Sequence, residues 1–91
     1  MYRITQKMLE NRVNHLNAIT DNPQSSWTLK EGGGCKANVG NYHLDWAYGG
    51  VKLVQHMNDG GGITSITPGF DTKRDLMGLI DAYISGVKVA A

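Results

Sequence analysis

The sequence predicts a two-layer α+β domain of order α-β-β-β-α, a three-stranded antiparallel sheet with two helices packed on one face. Three observations predict it. Apolar residues recur at helical spacing near both ends of the chain, and the middle alternates between apolar and polar residues around paired glycines. The length of 91 residues then sets the scale, because a chain of this size has room for one core and no second one.

The first helix is read over Thr5 to Ile19. Leu9, Val13, Leu16 and Ile19 make one apolar stripe, Thr5 is the N-cap, and Ile4 packs on Leu9 as a hydrophobic staple. Asp21-Asn22-Pro23 ends it, since proline lacks an N–H and drives the preceding residue out of the α region. Ser25 to Lys30 alternates as a short strand with Trp27 and Leu29 on one face, and Glu31-Gly32-Gly33-Gly34 follows as a turn.

The next strand carries a slip of phase. Cys35, Ala37 and Val39 are apolar at odd positions, whereas Tyr42, Leu44 and Trp46 are apolar at even ones. A β-bulge at Gly40-Asn41 restores a single apolar face; the alternative is one strand that ends at Val39 and another that begins at Tyr42. Gly49-Gly50 reads as a two-residue hairpin loop into a return strand, Val51 to Met57, which sets His43 opposite His56. A four-residue loop, Ala47 to Gly50, slides the pairing by two and leaves every side chain on the same face. Tyr42, Leu44, Trp46, Val51 and Leu53 then belong to the core. Asn41, His43, Asp45, Lys52, Val54 and His56 face away from it.

Ile63 to Phe70 reads as a connector with a turn at Pro68-Gly69. Thr72 to Ser85 is the second helix, with Leu76, Leu79, Ile80, Tyr83, Ile84 and Val87 as its stripe, Thr72 and Asp75 as a capping box, and Gly86 as its stop. Val87 to Ala91 is a tail or a short extension on the sheet. The chain is a single domain, 1–91.

Composition narrows the function classes. Hydrophobic residues at 41% and charged residues at 19% are globular values, which excludes the disordered class. A net charge of +1 argues against a general nucleic-acid binder. The single Cys35 forms no internal disulfide and favours a reducing compartment; it is expected as a small buried residue. Residues 1–20 lack the apolar run of a signal peptide, and no segment reaches membrane-spanning length, so the expectation is a cytoplasmic protein without membrane contact.

Candidate chemistry concentrates on the polar sheet face. His43, Asp45 and His56 are residue types that bind metals or shuttle protons, but their spacing fits no metal-site signature. The glycine runs lack phosphate-loop layouts, and Cys35 has no neighbour except Lys36 to lower its pKa. The expectation is therefore a protein without catalytic residues, metal or cofactor. Its binding surface is Asn41, His43, Asp45, Lys52 and His56. An alternative anion or nucleic-acid contact uses Lys36, Lys73 and Arg74 together with Lys52. The two edges of a three-stranded sheet also offer pairing between copies of the chain.

Two resemblances follow from these residues. The α-β-β-β-α order and the basic start of the last helix, Lys73-Arg74, resemble the double-stranded-RNA-binding domain, which implies nucleic-acid contact, a reading the near-neutral charge does not favour. The stretch from Asn38-Val39-Gly40-Asn41-Tyr42-His43-Leu44 through Ala47-Tyr48-Gly49-Gly50 to Met57-Asn58-Asp59-Gly60-Gly61-Gly62, continued at Lys73-Arg74-Asp75-Leu76, resembles a group of small phage and prophage proteins. That resemblance implies an accessory protein of the bacterial host cytoplasm that binds a host or phage macromolecule, an antidefence inhibitor among the implied roles, with a protein as the expected partner.

Overall fold

A computed structural model describes residues 3–90. The elements run α1 (Gln6–Ile19), β1 (Trp27–Leu29), β2 (Cys35–Ala37), β3 (Tyr42–Ala47), β4 (Gly50–His56), β5 (Ile63–Ser65) and α2 (Lys73–Ala90). The α+β class is as expected, and both helices pack on one face of a three-stranded antiparallel sheet. That sheet, however, is β3-β4-β5, and β1-β2 form a separate two-stranded ribbon.

Thr5 caps α1 through its Oγ1, which accepts from the Met8 N–H at 3.2 Å, while the Met8 sulfur accepts from the Thr5 N–H at 3.5 Å. A thioether thus fills the place that Glu or Gln usually holds in a capping box. At the other end the Asn22 N–H reaches Asn17 O and the Asp21 N–H reaches Ala18 O, a Schellman closure. Asp21 takes the left-handed position (φ 57°) where glycine is usual.

Gly40 has φ 91°, and its N–H donates to His56 O, while Asn41 O accepts from the His56 N–H. Two residues oppose one, the count of a β-bulge. The bulge does not join one long strand, because β2 and β3 lie in different sheets; the alternative of two strands is the correct one. A Cβ at Gly40 would also collide with Asn22 Oδ1.

The hairpin loop is Tyr48-Gly49, not Gly49-Gly50. Both have positive φ (53° and 72°), as a type I′ turn requires. The pairing is Leu44↔Leu53, Asp45↔Lys52 and His43↔Val54, the slid register, with the division of faces unchanged. Gly50 serves close approach instead: a Cβ there would stand 3.0 Å from Asp71 O.

The core is Leu9, Val13 and Leu16 of α1, Tyr42, Val51 and Leu53 of the sheet, and Leu76, Met77, Ile80 and Ile84 of α2. Its buried polar pair is well served: Asn17 Nδ2 donates to Tyr42 O at 3.0 Å and Asn17 Oδ1 accepts from the Tyr42 N–H at 2.8 Å. Orphaning either backbone group would cost about 1–3 kcal/mol. Trp46, expected in the core, is 43% exposed at the end of β3, and Leu79 lies on the outer side of α2.

Two further expectations are corrected. Ile63 to Ser65 is a strand that pairs with β4 through Val54↔Ser65 and His56↔Ile63, not part of a connector. The second helix does not stop at Gly86 but continues to Ala90; Ala91 of the expected tail lies outside the described residues.

Candidate functional site

The second face of the sheet is not left open to solvent along its length. The β1-β2 ribbon folds back on it: the Ala37 N–H donates to Asp59 O at 2.9 Å, and the Trp27 ring stands edge-on to the His56 ring at 5.0 Å. Gly61 (φ 97°) lets the indole lie there, since a Cβ would meet it at 2.8 Å. The Asn58 side chain holds this glycine loop by accepting from the N–H groups of Gly60 and Gly62 at 3.0 Å each. The run Gly60-Gly61-Gly62 is therefore a seat for Trp27.

Under this cover, Asn41 is 0% and His56 2% exposed, which corrects their placement on the solvent-facing surface. Asn41 is a structural link between segments. Its Nδ2 donates to Pro23 O at 2.7 Å, and its Oδ1 accepts from Ser26 Oγ at 2.9 Å and faces His43 Nδ1 at 3.1 Å. His56 Nδ1 has no partner among the described residues.

His43 stands opposite Val54 and not His56, yet the two imidazoles meet diagonally with ring centroids 4.5 Å apart. His43 is half-buried. Its burial, and then the neighbouring His56, hold its pKa below the usual histidine value, against the opposing pull of Asn41 and Asp45. The cluster is thus a Trp27-His56-His43 column whose rings stand edge-on and tilted to one another. Its two ends, Trp27 and the half-buried His43, meet solvent, and His56 between them is covered.

Asp45 and Lys52 are cross-strand neighbours, but they do not form an ion pair. Lys52 Nζ turns to Ser65 Oγ at 3.0 Å and lies 4.6 Å from the centre of the Phe70 ring. Asp45 is left with no hydrogen-bond or ion-pair partner among the described residues.

The cations of the alternative reading do not form one patch. Lys36 is on the ribbon, beside the Ala37–Asp59 contact at the far end of β4. Lys73 and Arg74 follow Asp71, which bridges Val51 at the near end. The seven-residue length of β4, about 20 Å, lies between them. Thr72 Oγ1 caps α2 by accepting from the Asp75 N–H at 3.2 Å. Cys35, expected to be buried, is exposed. His15 is an exposed residue of α1. Among the described residues no group of three His, Cys, Asp or Glu is placed to hold a metal ion.

One feature escaped the sequence. A groove of about 330 Å³ runs along the outer edge of β3, between the strand and α1, lined among others by Lys7, Glu10, Asn14, His43, Leu44 and Trp46. Its only sequence trace is the polar stripe Lys7, Glu10, Asn14 and Asn17 on α1, at helical spacing. No helix among the described residues is long and apolar enough to cross a membrane. Comparison with protein-family models, curated proteins and solved structures finds no match to this chain.

Proposed function

We propose that the chain is a small phage accessory protein that catalyses no reaction and acts by binding and modulating a host or phage macromolecule, a protein foremost, as an antidefence inhibitor would. The observation that carries this reading is apolar surface at the ribbon end of the molecule. Trp27 is 49% and Leu29 81% exposed on the ribbon, and Met57 and Ile63 are exposed where β4 ends and β5 begins, next to the glycine loop that seats Trp27. Large exposed apolar side chains gathered at one end mark protein-contact surfaces more often than they decorate a free monomer. The exposed thiol of Cys35 suits the reducing bacterial cytoplasm. The nucleic-acid reading is the weaker one, because its cations are spread over both ends of β4.

The test is affinity capture of the tagged full-length chain from lysate of a phage-infected host, beside the Leu29→Asp variant. The reading predicts one protein bound in stoichiometric amount by the wild type and lost from the variant. Recovery of no stoichiometric protein, or of nucleic acid alone, overturns it.

A further inference from the structure

The outer edge of β3 is a built, unfilled strand position. Among the described residues β3 is an edge strand, paired only with β4. The His56 N–H bonds to Asn41 O, and Ala47 pairs with Gly50 across the turn, so the odd-numbered residues of β3 direct their N–H and C=O groups at β4. The even-numbered residues point the other way. Tyr42 demonstrates this, because its N–H and C=O are both taken by the Asn17 side chain from α1. Beyond that amide clasp, the backbone groups of Leu44 and Trp46 face the groove, and no strand of the described residues lies beside them.

The geometry points to strand addition: β3 takes up an extended peptide segment of a partner protein along Leu44–Trp46, with an apolar–basic–apolar sequence at its centre. This rests on the protein-binding reading above and adds to its ribbon-end contact a second one, made by an extended segment of the same partner. Four backbone hydrogen bonds to Leu44 and Trp46 set the register. Side chains opposite Leu44 and Trp46 fall on the α1 side, against partly buried Leu44 and half-exposed Trp46, and are therefore apolar. The side chain between them falls on the other face beside Asp45, whose carboxylate has no cation partner among the described residues, and is therefore basic.

A second copy of this chain fits poorly. Two-fold pairing centred on β3 sets Asp45 against Asp45 of the other copy, like charges directly opposed. A shift one way needs the Tyr42 groups that Asn17 already holds. A shift the other way needs Tyr48, which lies in the turn at φ 53° and is not extended.

The experiment is a titration of the full-length ¹⁵N-labelled chain with an end-capped heptapeptide, Thr-Thr-Val-Lys-Val-Thr-Thr, followed by NMR. Saturable shifts centred on the amides of Leu44 and Trp46 are expected. Binding should weaken about tenfold when the peptide lysine becomes glutamate, and about tenfold or more in Trp46→Pro. Proline is tolerated at an outward edge position but removes a donor to the incoming strand. Trp46→Val keeps that donor and should weaken binding less. The proposal is overturned if the Leu44 and Trp46 amides do not move, or if an N-methylated peptide lacking the pairing N–H groups binds as well. A captured host protein that binds Trp46→Pro as tightly as wild type also overturns it, while leaving the protein-binding reading in place.

Discussion

The fold lowers the pKa of His43 at the candidate site. Burial and the adjacent His56 ring lower its pKa in the folded chain, so the unfolded chain takes up the proton first as pH falls. His43 therefore costs no stability above the unfolded value of about 6.5, and stability declines as pH falls from there toward the lower folded value. Urea unfolding between about pH 7.5 and about pH 5 should show this decline, and His43→Gln should flatten it. A stability that rises through that interval would contradict the burial argument. Alternation along the hairpin was enough to set Asn41, His43, Asp45, Lys52 and His56 on one face, because parity survives a slip of register by two. It could not reveal that Asn41 and His56 are covered. The cover is Trp27, brought from a separate ribbon by long-range docking that leaves no periodic mark.

At the scale of elements, strong periodicity and capping chemistry were the legible part. Both helices begin where Thr5 and Thr72 place them, and α1 ends at Asp21-Asn22-Pro23. The errors have physical causes. β5 is three exposed residues after a glycine run, too short to alternate, and it is a strand only because β4 has an edge to pair with. Glycine pairs mark a hairpin, but Gly50 answers a steric demand from Asp71, and Tyr48 bears a positive φ in the turn. Gly86 looked like a stop and is an interior helical residue with open space around it. Gly86→Ala should therefore stabilise the chain by about 0.5–1 kcal/mol, seen as a rise of a few degrees in Tm. A fall in Tm would mean that the helix ends there after all.

The main sheet has two unlike faces and an open edge at β3. One face is closed by the helices, and the other is sealed over His56 by the ribbon. β3 meets α1 through the Asn17 clasp on Tyr42 and through the core packing of Tyr42 and Leu44. The α+β class and the shared face for both helices followed from the amphipathic stripes. The open groove did not, because it depends on which strand lies at the edge of the sheet. That order changed when β1 and β2 left the main sheet and β5 joined it. The central claim, an unpaired strand position at Leu44 and Trp46, is tested most directly by native-state amide hydrogen exchange of the monomer, read residue by residue along β3. Protection is predicted at His43, Asp45 and Ala47 through β4 and at Tyr42 through the Asn17 clasp, with fast exchange at Leu44 and Trp46 between them. Equal protection at Leu44 and Trp46 would contradict the account, because the edge would then already be filled.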